Sequence, residues 1–114
     1  MTARRQALGA AGEAQAARWY EGRGFTVLAR NWRCRQGELD LVLGRDGLVV
    51  FCEVKTRTSD AFGAPMEAVT RTKQVRLRRL AAAWIDQAAT RPREIRFDVA
   101  SILAGRLDVI EGAF

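Results

Sequence analysis

The sequence predicts an α/β or α+β sandwich: one domain around a single mixed sheet, in the order helix, strand, strand, strand, helix, strand, strand. Three observations predict it. Two long stretches carry apolar residues at helical spacing, an alternating run and an apolar run are joined by a tight Asp-Gly turn, and a second pair of strand-like runs closes the chain. No repeat, linker or low-complexity segment interrupts residues 1–114, which therefore read as a single domain.

The first helix is expected over residues 9–23 (GAAGEAQAARWYEGR), where alanine is dense and proline absent, with Gly22 and Gly24 ending it. Glu13, Ala16, Ala17 and Tyr20 share one face by three-and-four spacing, which sets Glu13 at the upstream end of the inward stripe. Residues 25–29 (FTVLA) read as a strand. In residues 37–44 (GELDLVLG), strict alternation sends Leu39, Leu41 and Leu43 one way and Glu38, Asp40 and Val42 the other. Asp46-Gly47 is a strong hairpin signal, and residues 48–57 return as a strand whose unbroken apolar start suits a central position. A polar loop with Gly63 and Pro65 leads to a long helix, residues 67–89, with Leu77, Leu80, Ala81, Trp84 and Ala88 as its stripe. Pro92 closes that region. Residues 94–103 and 106–111 form the final pair of strands, turning at Ala104-Gly105.

Composition narrows the chemistry. At 48% hydrophobic residues the chain has the makings of a folded core, and its net charge of +6 suits either a polyanionic partner, most often nucleic acid, or a soluble basic protein with no such partner. Neither Cys34 nor Cys52 stands in a metal-spaced cluster, and Cys52 lies in the apolar run as a small buried hydrophobe. The first residues lack a signal-like apolar stretch and no run reaches membrane-spanning length, so a cytoplasmic protein without membrane association is expected. The chain contains no histidine, which excludes Ser-His-Asp and Cys-His hydrolysis and every histidine-base nuclease. Catalysis here must come from carboxylates, lysine, or a metal bound through oxygen.

That constraint bears on FCEVKTR, residues 51–57, where Glu53 and Lys55 follow an apolar strand start. With Asp46 and Gly47 as the central turn residues, Arg45 faces Leu48 and Asp40 faces Glu53. With Arg45 and Asp46 at the turn instead, Glu38 faces Glu53 and Asp40 is its diagonal neighbour. Either register gathers Asp40, Glu53 and Lys55 on one side of the sheet. Opposed carboxylates repel, and a divalent cation removes the conflict. Mg²⁺ favours one or two carboxylates, waters and phosphate oxygens, and an adjacent lysine can stabilise developing negative charge. Phosphodiester hydrolysis accounts for all three residue types, with Asp40 and Glu53 holding Mg²⁺ or Mn²⁺, Lys55 beside them and Glu13 able to add a carboxylate. The plainer alternative is a Glu53–Lys55 ion pair at a strand end with Asp40 solvated. A nucleic-acid-binding module without catalysis is the other functional reading.

Asp40 followed by Glu53-Val54-Lys55 resembles the D…ExK signature of the restriction-endonuclease-like nucleases. More narrowly, GELDLV, EVKTR and RFDV in this order resemble the YraN-like family of small bacterial proteins, and the likeness covers almost the whole chain. The resemblance implies an endonuclease-like α/β fold similar to archaeal Holliday-junction resolvases. It implies metal ligation by Asp40 and Glu53, a catalytic Lys55, and Glu13 completing the site. It also implies action on DNA, including branched structures, and extends to pairing of two such domains as a homodimer.

Other residues carry weaker signals. Glu38 reads as a near-surface acid at a strand start rather than a further ligand. Lys73 falls on the stripe side of the second helix, where it reaches towards a phosphate or lies exposed on its stem. Arg57, Arg76 and Arg33, with Arg30, Arg35, Arg71, Arg78 and Arg79, form as a set a track for sequence-independent phosphate contacts, though any one of them alone reads as solvated surface. Trp19 and Trp84 read as packing residues, leaving Trp32 as the candidate for stacking on a base. Asp98 supports the site acids or ends a strand in an ion pair.

Overall fold

The computed structural model describes residues 3–58 and 69–114. Its order is α1 (Ala3–Glu21), β1 (Thr26–Cys34), β2 (Gly37–Arg45), β3 (Leu48–Arg57), α2 (Arg71–Gln87), β4 (Glu94–Leu103) and β5 (Arg106–Ile110). This is the expected mixed α/β arrangement. The five strands lie in sequence order, with β3 and β4 parallel and every other neighbouring pair antiparallel. The parallel pair needs a crossover, and α2 lies within it. The expected loop around Gly63 and Pro65 lies outside the described residues.

Each helix covers one face. Ala16, Ala17 and Tyr20 of α1 pack with Phe25, Leu41, Leu43, Val50, Cys52 and Ala100. Leu77, Leu80, Ala81 and Trp84 of α2 pack with Leu39, Val42, Val49, Phe51, Phe97 and Val99. Burying such side chains contributes roughly 1.5–3 kcal/mol each, so two helix-on-sheet layers hold the domain without a disulfide. The alternation Val50, Phe51, Cys52 sends neighbours to opposite layers, which explains the unbroken apolar start of β3: it is buried on both sides. Among the described residues no helix is long and apolar enough to cross a membrane.

Local chemistry sets the ends. α1 stops at Glu21, where Gly24 at φ 84° lets Phe25 N–H return to the Tyr20 carbonyl. α2 begins at Arg71, later than expected, because Thr70 takes the N-cap and its hydroxyl accepts from the Lys73 N–H at 3.2 Å. Residues 67 and 68 of the expected helix lie outside the described residues. β1 runs to Cys34, well past the expected Ala29. It is an edge strand, so arginines fit its exposed positions, and a bulge between Val27 and Ala29 interrupts its pairing with β2.

Candidate metal centre

The β2–β3 hairpin adopts the first expected register. Arg45 pairs with Leu48, and the ladder runs back to Leu41 opposite Cys52. Asp46 and Gly47 have φ of 50° and 83°, the positive pair that a two-residue turn of this hand requires. Beyond Leu41 the ladder stops. There Asp40 turns its carboxylate across the gap, and Oδ2 accepts the Val54 N–H at 2.8 Å.

The expected alternation of β2 breaks at the same point. Leu41 and Leu43 pack under α1 as a pair, but Leu39 packs under α2. On β1, Arg30 pairs with Leu41 and Trp32 with Leu39, which leaves Asn31 beside Asp40 with a left-handed φ of 50°. Asparagine tolerates that conformation better than most residues. The irregular residue removes the strict two-residue period on which the parity argument rested.

The irregular stretch brings together what the sequence separates. Glu13 on α1 reaches Glu38 and Asp40 on β2, and one carboxylate oxygen of each lies within 4.8 Å of the others. With its nitrogen turned towards the acids, the Asn31 amide donates to Glu38 Oε1 and Glu13 Oε2 at 2.9 Å each. α1 can lie this close because Gly12 has no β-carbon, which would collide with Thr56 Oγ1. Glu38, expected as a strand-start surface acid, is thus a member of the cluster, drawn in by Asn31. Its Oε2 also takes Arg33 Nε at 2.9 Å.

Glu53 lies outside that group of three, but its charge acts on both Asp40 and Glu13. Its Oε1 lies 3.2 Å from both Lys55 Nζ and Lys73 Nζ, and its side chain is only 10% exposed. Lys73 therefore meets an acid of the site rather than lying free on its helix. Four carboxylates share this corner with two half-buried ammonium groups, while Arg33, whose side chain is 78% exposed, adds a screened contact at the rim.

Asp40 and Glu13 respond to these surroundings. Burial, then the Glu53 charge, push Asp40 up to about 7, with Glu13 and Glu38 adding to the rise against the Val54 N–H. Glu13 is also raised, first by burial and then by Glu38 and Glu53, although Asn31 and Arg30 work the other way. Lys73 is lowered by burial and by its neighbour Lys55 despite Glu53. Burial works against Lys55 as well, but Lys73, Glu53 and Asp40 outweigh it and raise its pKa. A half-buried corner in which Glu13, Glu38 and Asp40 present converging carboxylate oxygens meets the donor chemistry of a hard divalent cation: oxygen ligands, and no histidine or thiolate among the contributing groups.

A family model described as "Uncharacterised protein family UPF0102" matches residues 12–102. The chain belongs to the UPF0102 family. This is the family of the YraN-like motifs. The matched span contains every member of the corner, from Glu13 to Lys73. Curated relatives agree. The chain is 56% identical to a UPF0102 protein of Beutenbergia cavernae over 103 residues, covering 90% of this chain and 86% of the relative. It is 51% identical to one of a Nocardioides species over 102 residues (90% and 82%), and 49% identical to one of Mycolicibacterium vanbaalenii over 110 residues (96% and 91%).

The other candidates fall in different places. Arg76 is exposed and lines an open groove of about 390 Å³ with Gln36, Thr72, Val75 and Arg79. Arg57 ends β3, half-buried, on the side of Lys55 by strand alternation. Trp32, the candidate stacking residue, is half-buried and packs against the α2-side core, as Trp84 does within it. Trp19 is half-buried and meets Tyr20 edge-on with Arg23 over its ring. Asp98 is fully buried and bound by Tyr20, Arg96 and Gly112, so its partners lie away from the acidic corner. Asn31 carried no role in the sequence reading. An asparagine among arginines on a strand was its only signal.

Proposed function

We propose that this protein is a metal-dependent endonuclease domain that hydrolyses DNA phosphodiester bonds, including those of branched structures, with Mg²⁺ or Mn²⁺ as cofactor. The observation that carries the reading is the corner itself: Glu13, Glu38 and Asp40 each bring a carboxylate oxygen within 4.8 Å of the others, and Glu53, whose charge acts on Asp40, stands alongside with Lys55 and Lys73. In this reading Asp40 and Glu53 hold the cation, and Glu13 and Glu38 complete its acidic surroundings. When bound, such a cation polarises the phosphodiester and makes a coordinated water more acidic.

The chain's own groups supply the rest. Lys55, kept at Glu53 by an ion pair of 3.2 Å, presents a positive charge where negative charge develops on the phosphoryl oxygens. Asp40, anchored by Val54 N–H, keeps a fixed direction for its free oxygen. Arg76 and Arg79 contact backbone phosphates along the neighbouring groove, with Arg57 beyond Lys55. Incubation of purified protein with Mg²⁺ or Mn²⁺ and a panel of duplex, single-stranded, flap and four-way DNA tests the reading. Cleavage by the wild type and its loss in Asp40→Ala with Glu53→Ala is the expected result. Cleavage that persists in the double variant contradicts it. Salt-sensitive DNA retention without cleavage would assign the fold to a non-catalytic binding module.

A further inference from the structure

Glu53 is doubly occupied. Lys55 and Lys73 both approach the same oxygen, Oε1, at 3.2 Å. The two amines reach it from different elements: Lys55 from two positions along the same strand, Lys73 from the first turn of α2. Thr70 fixes that turn by accepting the Lys73 N–H, so the backbone from which Lys73 projects is held while its four-carbon stem is free to turn. Side-chain exposures of 10% for Glu53 and 29% for Lys73 mean that water screens this pair weakly. An acid that already faces two ammonium groups gives a third cation little net attraction, because each ammonium repels it.

The helix that carries Lys73 also borders the groove. Thr72, Val75 and Arg76, neighbours of Lys73 on α2, line it together with Gln36 and Arg79. A polyanion lying along that groove offers Lys73 a phosphate oxygen in place of Glu53. The exchange keeps one charge-assisted contact for the lysine and frees one for the acid.

We infer that Lys73 couples the two ligands of the centre: it holds Glu53 in the free protein and passes to a backbone phosphate when nucleic acid docks, so that cation and nucleic acid strengthen each other's binding. The inference rests on the metal-dependent reading of the site. Lys73 is a positioning residue in it, acting through Glu53. Linkage makes the effect reciprocal, since DNA tightens the cation by the same factor as the cation tightens DNA.

Calorimetric titration of Mn²⁺ into wild type, Lys73→Met, Lys73→Gln and Lys73→Arg tests it. Each protein is measured alone and saturated with a short phosphorothioate duplex, which keeps the backbone charge and slows hydrolysis, and the heat of Mn²⁺ binding to the duplex alone is subtracted. For wild type, DNA should tighten Mn²⁺ roughly 10-fold. Lys73→Met and Lys73→Gln should bind Mn²⁺ roughly 10-fold more tightly than wild type without DNA, with little further gain when DNA is added. Lys73→Arg should restore the wild-type pattern. Equal or weaker Mn²⁺ binding by both neutral variants, or full DNA coupling in them, overturns the inference and leaves the metal site standing. Absence of Mn²⁺ binding from every protein in every condition overturns the nuclease reading and the inference with it.

Discussion

Asp98 and Asp40 are buried or half-buried acids of one sheet with opposite surroundings. Asp98, on β4, is fully buried, and its two oxygens accept Tyr20 Oη at 2.6 Å, Arg96 Nε and Nη2 at 2.8 and 3.0 Å, and Gly112 N–H at 3.0 Å. Asp40, on β2, accepts one backbone N–H and feels the charges of the acids Glu53, Glu13 and Glu38, with Lys55 as the nearby amine. Burial is common to both and so does not mark function. The supply of donors separates them. The fold gives Asp98 the Arg96 guanidinium, the Tyr20 hydroxyl and the Gly112 N–H, and it leaves Asp40 with one N–H donor beside three other carboxylates. A buried acid that the protein itself does not neutralise is one that an external cation can.

The largest expected effect should break the satisfied acid. Asp98→Ala removes the acceptor of the Tyr20 hydroxyl and leaves Arg96 with only the longer Glu111 contact at 3.9 Å, and should cost about 3–5 kcal/mol in denaturant unfolding. Asp40→Asn should behave oppositely in metal-free buffer. It removes a charge from among like charges, its amide oxygen can still accept Val54 N–H, and stability should hold or rise while cleavage is lost. Equal destabilisation by both substitutions would erase the contrast.

The next effect is the cation's own. Mn²⁺ at a concentration 100 times its dissociation constant should stabilise the wild type by about 2.7 kcal/mol in thermal unfolding, and Asp40→Asn far less. Asp98→Asn, provided that it folds, should keep that response.

Asp40 should also make stability depend on pH. The folded pKa of Asp40 is raised from 3.8 to about 7, so the folded state binds the extra proton between those values. Its contribution to stability is therefore present in full below the unfolded pKa and is lost as pH rises through about 7. With allowance for its partial exposure, metal-free wild type should lose on the order of 1–2 kcal/mol relative to Asp40→Asn across that rise. Parallel pH profiles for the two proteins would contradict the assigned environment.

The smallest effect concerns Asn31. Asn31→Gly keeps the backbone at φ 50° free of strain and deletes only the amide that bridges Glu13 and Glu38. Stability should change by less than about 1 kcal/mol, while Mn²⁺ affinity falls severalfold as the two carboxylates lose their common donor. Asn31→Ala should cost more, because it adds strain at positive φ.

Much of this was legible from short-range chemistry. Asp46-Gly47 set the hairpin register, and the stripe of Ala16, Ala17 and Tyr20 placed Glu13 over the sheet. Both readings use neighbours a few residues apart, where spacing is a direct measure of geometry. The parity of β2 was not legible, because it depends on the backbone of Asn31 in the facing strand. Glu38 was missed for the same reason: its direction follows from that irregularity. The Lys73–Glu53 pair depends on how α2 crosses the sheet, which no local pattern encodes. The start of α2 was readable in principle from Thr70, but the apolar stripe drew the boundary further upstream.

Anomalous diffraction from crystals grown with Mn²⁺ tests the central claim most directly. A Mn²⁺ peak about 2.1–2.3 Å from an Asp40 carboxylate oxygen, within the corner formed by Glu13, Glu38 and Glu53 and absent from Asp98, is the predicted result. Mn²⁺ at millimolar concentration that leaves Asp40 without a peak, in a lattice that does not obstruct the corner, would contradict it.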